Sequence, residues 1–291
     1  MFVPHSTVGT LLLCIHELAT PFRRGFNCDD ETIRYPYKES TISSAVCYSV
    51  GSGINVILIL ILEYVNLRKR PQSNEGQSSN GYSSEIDQQF STLLYAKNVY
   101  CRLLVWFFGG IASELLTDIS KISAGRLRPH FIQVCRPSVN GQPLDEYCNN
   151  SKPFEYITNY TCEGFPEKQR DIRMSFLSGH SSYSAYSATF AILYLQESLD
   201  ANSFGFLKPA VQVLIGSAAF YTGLSRISDY KHHWQDVLAG LLLGTTMASI
   251  ITIHVWPSVQ KTYTKYWNKY TTNKLTDSNE ATSAELNQLS Y

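Results

Sequence analysis

The apolar residues of this chain are gathered into long runs that polar stretches separate. A helix needs about 20 predominantly apolar residues to cross a bilayer. Five runs come close to that length, and they cover residues 45–62, 103–119, 181–195, 207–224 and 237–256. A sixth run, 2–22, is marginal because it carries His5, His16 and Glu17, and a short interfacial helix is its alternative. The pattern predicts an all-α fold, a polytopic membrane helix bundle with about six transmembrane helices.

Two polar segments are predicted to lie in the cytosol. Residues 68–89 begin with Arg-Lys-Arg and continue with Ser, Asn, Gln and Gly, a composition typical of a flexible linker on the positive, inner side. Residues 257–291 contain few apolar side chains, and we expect their end to be disordered. The chain therefore divides into a membrane-embedded domain, 1–256, and a cytosolic tail, 257–291.

The polar segment 121–173 is predicted to lie outside the cytosol. It contains three cysteines and two glycosylation sequons, a combination typical of an oxidising compartment. Of the two acceptors, Asn159 is the better candidate because Asn149 directly follows Cys148. Counting the helices from there places 225–235 on the same outer face. We therefore expect a protein of the plasma membrane or the secretory pathway, with this face toward the outside or the lumen.

Composition narrows the function classes. Lysine plus arginine and aspartate plus glutamate both number 24, so the chain lacks the basic surplus that nucleic-acid-binding proteins carry. The seven cysteines form no CxxC pair, which disfavours a zinc finger or a thioredoxin-like redox centre. The sequence therefore predicts no nucleic-acid partner and no metal site.

Three short polar clusters flank the predicted helices, and the count of crossings places all three on the outer face. They supply fixed cations, two imidazoles and a carboxylate, an inventory that suits a phosphoryl group. One histidine could attack phosphorus while the other protonates the leaving oxygen. The members are Lys121, Arg126, Arg128 and Pro129 in the first cluster, Ser178, Gly179 and His180 in the second, and Ser225, Arg226, His232 and Asp236 in the third.

The second and third clusters each open a predicted helix. Free backbone N–H groups at a helix start favour anions, and the glycine of the second cluster lets a phosphate approach closely. His232 and Asp236 are four residues apart, so the carboxylate is predicted to share a helix face with the imidazole and to hold one ring nitrogen. His233 is an alternative nucleophile that lacks an aspartate at this spacing. Asp118 is either a partner of Lys121 or a buried structural charge.

The clusters resemble the signature of the type 2 phosphatidic acid phosphatases, also called lipid phosphate phosphatases. That family carries KxxxxxxRP, SGH and SRxxxxxHxxxD, and this chain matches all three patterns in order. Residues 24–37 are also similar to the first outer loop of the animal members, close to the insect Wunen type. The resemblance covers about 22–256, although Leu177 stands where much of the wider superfamily has proline.

The resemblance implies a role for each residue. His232 would attack phosphorus and form a phosphohistidine, Asp236 would orient His232, and His180 would protonate the leaving alkoxide and then activate water. The phosphate oxygens would be held by Lys121, Arg128, Ser178, Gly179 and Arg226. The family uses no metal and no other cofactor, so none is expected here.

The predicted function is hydrolysis of lipid phosphomonoesters such as phosphatidate, lysophosphatidate, sphingosine 1-phosphate or ceramide 1-phosphate. Two alternatives stay open. One is another phosphatase of the superfamily, acting on a sugar phosphate or a polyprenyl diphosphate, and the other is a non-catalytic membrane adaptor or transporter. A transporter usually places its polar groups at the bilayer midplane, whereas these clusters lie at helix ends. The resemblance also implies homo- or hetero-oligomers.

Overall fold

The computed structural model describes residues 19–68, 81–150, 155–199, 205–262 and residue 264. Within these ranges the fold is mostly helical, with a few two- and three-residue strands. The helices are α1 (Ser44–Arg68), α2 (Gly81–Ala124), α3 (Phe131–Cys135), α4 (Leu144–Asn150), α5 (Gly179–Ser198), α6 (Leu207–Ser228) and α7 (Trp234–Ile250), which continues through a π-helical turn at Ile251–Val255. The strands are β1 (Phe26–Asn27), β2 (Pro137–Val139), β3 (Gln142–Pro143), β4 (Tyr156–Ile157) and β5 (Thr161–Cys162).

Among the described residues, three helices are long and apolar enough to cross a membrane. They are Ser44–Arg68, Ser91–Ala124 and Trp234–Thr262. The prediction of a helical membrane protein is therefore confirmed in its coarse form, but the count of six spans is not. The runs 181–195 and 207–224 do form helices, α5 and α6. Most of the marginal run 2–22 lies outside the described residues.

The interior of the bundle explains why α5 is less apolar than its neighbours. It packs against α1, α2, α6 and α7, so most of its surface faces protein rather than lipid. Its many serine and alanine side chains are small enough to let neighbouring helices approach closely. On α7, a Cβ at Gly240 would lie 2.7 Å from the Ser178 carbonyl oxygen, and one at Gly244 would collide with the Ser182 carbonyl. These two glycines therefore bring the start of α7 against the start of α5.

Two predicted boundaries are corrected by the helices. The segment 68–89 was expected to be a linker throughout, but α2 already begins at Gly81. Residues 81–102 contain no proline and no internal glycine, so nothing stops the apolar helix from extending into this polar stretch. The last helix likewise continues to Thr262, beyond the end of the predicted run 237–256. Most of the predicted tail, 257–291, lies outside the described residues.

The described residues of the segments 19–43 and 125–178 fold together into one subdomain next to the helix ends, named the outer subdomain because it lies outside the helix bundle. Strand β1 pairs with β4 in antiparallel register, and β2 lies between β3 and β5. An apolar core binds the two segments, and its fully buried members include Phe131, Cys135, Tyr160 and Ile172. Such short strands are not stable alone, so the packed core has to supply the stability.

Two disulfides tie this outer subdomain together. Cys28 bonds to Cys148 across the two segments, and Cys135 bonds to Cys162 within the second segment. The sequence had left these pairings open. Disulfides persist in oxidising compartments, so both bonds agree with the expected location of 121–173 outside the cytosol.

Candidate active site

The three polar clusters meet at the end of the bundle that carries the outer subdomain. Lys121 lies in the last turn of α2, and residues 178–180 begin α5. Arg226 lies in the last turn of α6, His232 lies in the turn that follows, and Asp236 lies in the first turn of α7. The ends of four helices thus bring these side chains to one place.

The start of α5 has the geometry of an anion site. Ser178 is the N-cap, and its hydroxyl oxygen accepts hydrogen bonds from the N–H and the hydroxyl of Ser181. The N–H of Ser178 donates to the backbone oxygen of Asp236 at 3.1 Å, which joins α5 to α7. A Cβ at Gly179 would lie 3.1 Å from Lys121 Nζ, so the glycine lets the ammonium lie against the helix start. The ammonium and the helix dipole both favour a bound anion there.

The imidazole of His180 has one ring nitrogen available for a ligand. It makes a hydrogen bond to the backbone of Ile42, while Nε2 is buried and has no hydrogen-bond partner among the described residues. Arg226, Arg128 and Lys121 all act on this imidazole electrostatically. A buried, unpartnered ring nitrogen beside three cations is poised to meet a polar ligand.

Two of the three cations donate hydrogen bonds to carboxylates. Arg128 donates from Nε to the Asp171 carbonyl at 2.9 Å and from Nη2 to Asp171 Oδ1 at 2.5 Å. Lys121 Nζ donates to Asp118 Oδ1 at 3.1 Å, and Asp118 is also buried, so it is both a partner of Lys121 and a buried charge. These contacts fix the cations in place before any phosphate arrives.

The third cation, Arg226, is almost completely buried. Its Nη1 donates to the Ile42 carbonyl at 3.3 Å and lies 3.8 Å from Asp229 Oδ2. Asp229 in turn accepts from the backbone N–H and the hydroxyl of Thr41. The segment that leads into α1 therefore helps to orient a guanidinium that lies 184 residues further along the chain.

His232 is 4% exposed, and its environment keeps it neutral. Burial lowers its pKa well below the usual value, and Arg128 and Arg226 lower it further. Its Nδ1 lies 2.7 Å from the Ser175 carbonyl oxygen. Because a carbonyl can only accept, Nδ1 carries the proton and Nε2 keeps its lone pair. The tautomer is the one that a nucleophilic imidazole needs.

Asp236 does not contact His232 in the way that the sequence predicted. Its Oδ2 accepts from the Ser175 hydroxyl at 2.6 Å and from the His233 backbone N–H at 3.1 Å, and Oδ1 pairs with Arg126 at 2.6 Å. The imidazole of His233 also lies 3.2 Å from Oδ2. Asp236 reaches His232 only indirectly, through Ser175.

The start of α7 gives the physical reason for this difference. His233 is the N-cap of α7 and Asp236 is its third residue, and the two form a capping box. His232 precedes the helix, so the four-residue spacing that applies inside a helix does not apply to it. The carboxylate folds back onto the cap instead.

A cavity of about 290 Å³ opens beside this loop. His232, His233 and Arg126 line it together with the aromatic rings of Tyr35 and Tyr230, which stack at 4.7 Å. Both candidate nucleophiles therefore border the same space. The lining of this cavity does not include His180, Lys121, Arg128 or Arg226.

Several contributors to this site were missed by the sequence analysis. Ser175, Asp171 and Ile42 orient His232, Arg128 and Arg226 through contacts between distant parts of the chain. They belong to no motif, and Ser175 and Ile42 act through backbone oxygens, which every residue has. No sequence signal was available to find them.

Comparison with known proteins decides the family. The model of the PAP2 superfamily matches residues 102–260, which is more than half of the chain and contains all eight residues proposed for phosphate binding and catalysis. The chain belongs to the PAP2 superfamily. Phospholipid phosphatase 1 of Rattus norvegicus is 38% identical over 240 residues, covering 81% of this chain and 76% of the relative.

Two further relatives come from other animals. Phospholipid phosphatase 2 of Homo sapiens is 34% identical over 235 residues, covering 81% of this chain and 74% of the relative. A relative from Drosophila melanogaster is 37% identical over 262 residues, covering 88% of this chain and 68% of its own length. No solved structure matches this chain.

Proposed function

We propose that this protein is an integral-membrane phosphatase that hydrolyses lipid phosphomonoesters. The observation that carries the proposal is the meeting of two imidazoles with Lys121, Arg128 and Arg226 at one end of a bundle of apolar helices. Membership of the PAP2 superfamily and relatives named phospholipid phosphatases support a phosphoric monoester hydrolase. An amphiphile suits this placement, since its tail can stay in lipid while its phosphate reaches the helix ends.

The first step uses His232 as nucleophile. Its Nε2 lone pair forms a bond to phosphorus, and the bond from phosphorus to the alkoxide oxygen breaks. His180, which takes up a proton at Nε2 from the incoming phosphate monoanion, donates that proton to the leaving oxygen, so the alcohol leaves neutral and His232 carries the phosphoryl group. The bond from His232 Nδ1 to the Ser175 carbonyl supports this role, because it stabilises the positive charge that the ring gains.

The second step releases phosphate. Water attacks phosphorus, His180 accepts the proton, and the bond from phosphorus to Nε2 of His232 breaks. In both steps the equatorial oxygens carry negative charge, which Lys121, Arg128, Arg226 and the N–H groups of 178–180 would stabilise. Fixed cations can serve where other phosphatases use a metal ion, so we propose that no cofactor is needed.

We also propose that the site faces the outside of the cell or the lumen. The two disulfides of the outer subdomain support this proposal, because disulfides persist in oxidising compartments. The alternation of helix ends at the site supports full crossings by α5 and α6, because α2 and α6 end there while α5 and α7 begin there. A first span at 2–22 would complete the six.

The proposal is tested by offering a panel of phosphates to membranes that contain the full chain. We expect phosphate release from phosphatidate, lysophosphatidate, sphingosine 1-phosphate or ceramide 1-phosphate, undiminished by EDTA. Glucose 6-phosphate and a polyprenyl diphosphate in the same panel separate the other phosphatase types. If no compound in the panel releases phosphate, the proposal of an enzyme is wrong. If EDTA abolishes the activity and Mg²⁺ restores it, the metal-free mechanism is wrong.

Glycosylation provides a test of sidedness. Both acceptors, Asn149 and Asn159, are exposed on the outer subdomain, and Asn159 lies in the turn between β4 and β5. We expect the chain made in animal cells to gain gel mobility on treatment with an N-glycosidase, and Asn159→Gln to remove most of that shift. A chain without glycan in a host that glycosylates a control membrane protein would contradict the outward placement.

A further inference from the structure

A groove in the membrane-embedded part of the bundle leads away from the phosphate site. It has a volume of about 260 Å³ and lies between α1, α5 and α6. Its rims are the exposed side chains Val46, Val50 and Ile54 of α1 and Tyr221 of α6. Along α1 it extends for about 12 Å, since the rise is 1.5 Å per residue.

The groove is continuous with the site because the same helix faces build both. On α5, Ser184 of the groove lies four residues after His180, and on α6, Thr222 lies four residues before Arg226. Residues four apart lie one above the other on a helix. Ile42, whose carbonyl accepts from Arg226, also lines the upper end of the groove. A ligand in the groove would therefore reach up to both the imidazole and the guanidinium.

The floor of the groove presents little polarity of its own. The hydroxyl of Ser187 donates to the Gly51 carbonyl, and the hydroxyl of Ser184 bonds to the carbonyls of Ser181 and Ala219. These polar groups are satisfied inside the bundle, so an apolar occupant would leave none of them unpaired. A hydrocarbon chain fits such a surface better than a polar ligand does.

We propose that this groove holds an acyl chain of the lipid whose phosphate occupies the site above it. The inference rests on the proposed function and adds the place where the tail lies. A tail leaving the bilayer for the groove gains little from the hydrophobic effect, since lipid is already apolar. Its contribution is to align the headgroup, so the groove should raise kcat/KM for chain-bearing substrates relative to chainless ones.

A pair of tryptophan variants on α6 tests this inference. Ala218 lines the groove, and Val213 is 67% exposed and lies outside its lining. The measured quantity is the ratio of kcat/KM for oleoyl lysophosphatidate to kcat/KM for p-nitrophenyl phosphate, which has no acyl chain. We expect Ala218→Trp to lower this ratio at least about tenfold and Val213→Trp to leave it within about twofold of wild type. Because both substrates report on one preparation, the ratio cancels any loss of folded enzyme.

Equal ratios in the two variants would contradict the binding of the acyl chain in the groove. They would mean that bulk lipid or another part of the protein chain occupies the groove. Failure of the proposed function gives a different result, because the wild type would then not hydrolyse lysophosphatidate. If Ala218→Trp does not fold, the wild type is crosslinked to a lysophosphatidate with a photoreactive group midway along its chain. We expect label within 215–222 that inorganic phosphate suppresses, and label that is indifferent to phosphate would refute the proposal.

Discussion

His232→Ala is expected to abolish phosphate release, with kcat/KM for lysophosphatidate falling by at least about 10³-fold, while His233→Ala falls by roughly tenfold. The two histidines are neighbours and line the same cavity, so they form a matched pair of variants. His232 is buried among cations that lower its pKa, and its Nδ1 is held by the backbone carbonyl of Ser175. His233 caps α7 and bonds to Asp236.

The comparison is informative because Asp236 contacts His233 directly. A carboxylate that holds a ring nitrogen is the usual device for activating a histidine, so the contact by itself favours His233 as nucleophile. We rank His232 first because its tautomer and its surroundings suit attack on phosphorus. Both variants should be expressed and inserted at wild-type levels, as judged by blotting of membranes. If His233→Ala proves inactive and His232→Ala stays active, the assignment of the nucleophile is reversed.

Asp236→Ala should produce the second-largest loss, on the order of 10²- to 10³-fold in kcat/KM, together with a lower melting temperature in detergent. The carboxylate is fully buried, and it binds Arg126, Ser175 and the cap of α7. Because the Arg126 side chain is 27% exposed, water can solvate its charge after the substitution, and the cost stays below the about 3–5 kcal/mol of a fully buried pair. The loop that carries His232 would then lose its attachment to α7.

Ser175→Ala is the matched control for this prediction. It removes the hydroxyl that donates to Asp236 but keeps the backbone carbonyl that holds His232. We expect a smaller loss, about tenfold, because Asp236 would keep Arg126 and the cap as partners. If Ser175→Ala loses as much activity as Asp236→Ala, the whole effect is due to the serine hydroxyl. If Asp236→Ala keeps wild-type activity, Asp236 has no role in the mechanism.

The sequence could predict the features that depend on local patterns. Apolar runs at 45–62, 103–119 and 237–256 identified the helices that are able to span a membrane, because hydropathy depends on composition over a short window. The three motifs likewise lie next to helix ends, as their positions beside the apolar runs indicated. The helical extension at 81–102 was missed, since a polar helix gives a weak signal beside a Gly- and Ser-rich linker.

The remaining features depend on contacts between distant residues. Pairing of β1 with β4 and the disulfide between Cys28 and Cys148 join segments that are far apart in the chain. Neither the pairing of cysteines nor a two-residue strand can be deduced from a single sequence. The partner of Asp236 was predicted wrongly for a different reason. The exact first residue of a helix decides whether a four-residue spacing brings two side chains together, and helix boundaries are hard to predict.

The central claim is that a phosphate bound by the three clusters is transferred to His232. The most direct measurement is to incubate the His180→Ala variant with ³²P-labelled p-nitrophenyl phosphate and to map the labelled peptide. Nitrophenolate leaves without a proton donor, whereas the hydrolysis of the intermediate still needs His180 as base. The account predicts an acid-labile, alkali-stable phosphoramidate on the peptide that contains His232. Label on any other residue, or rapid turnover with no trapped phosphoenzyme, would contradict it.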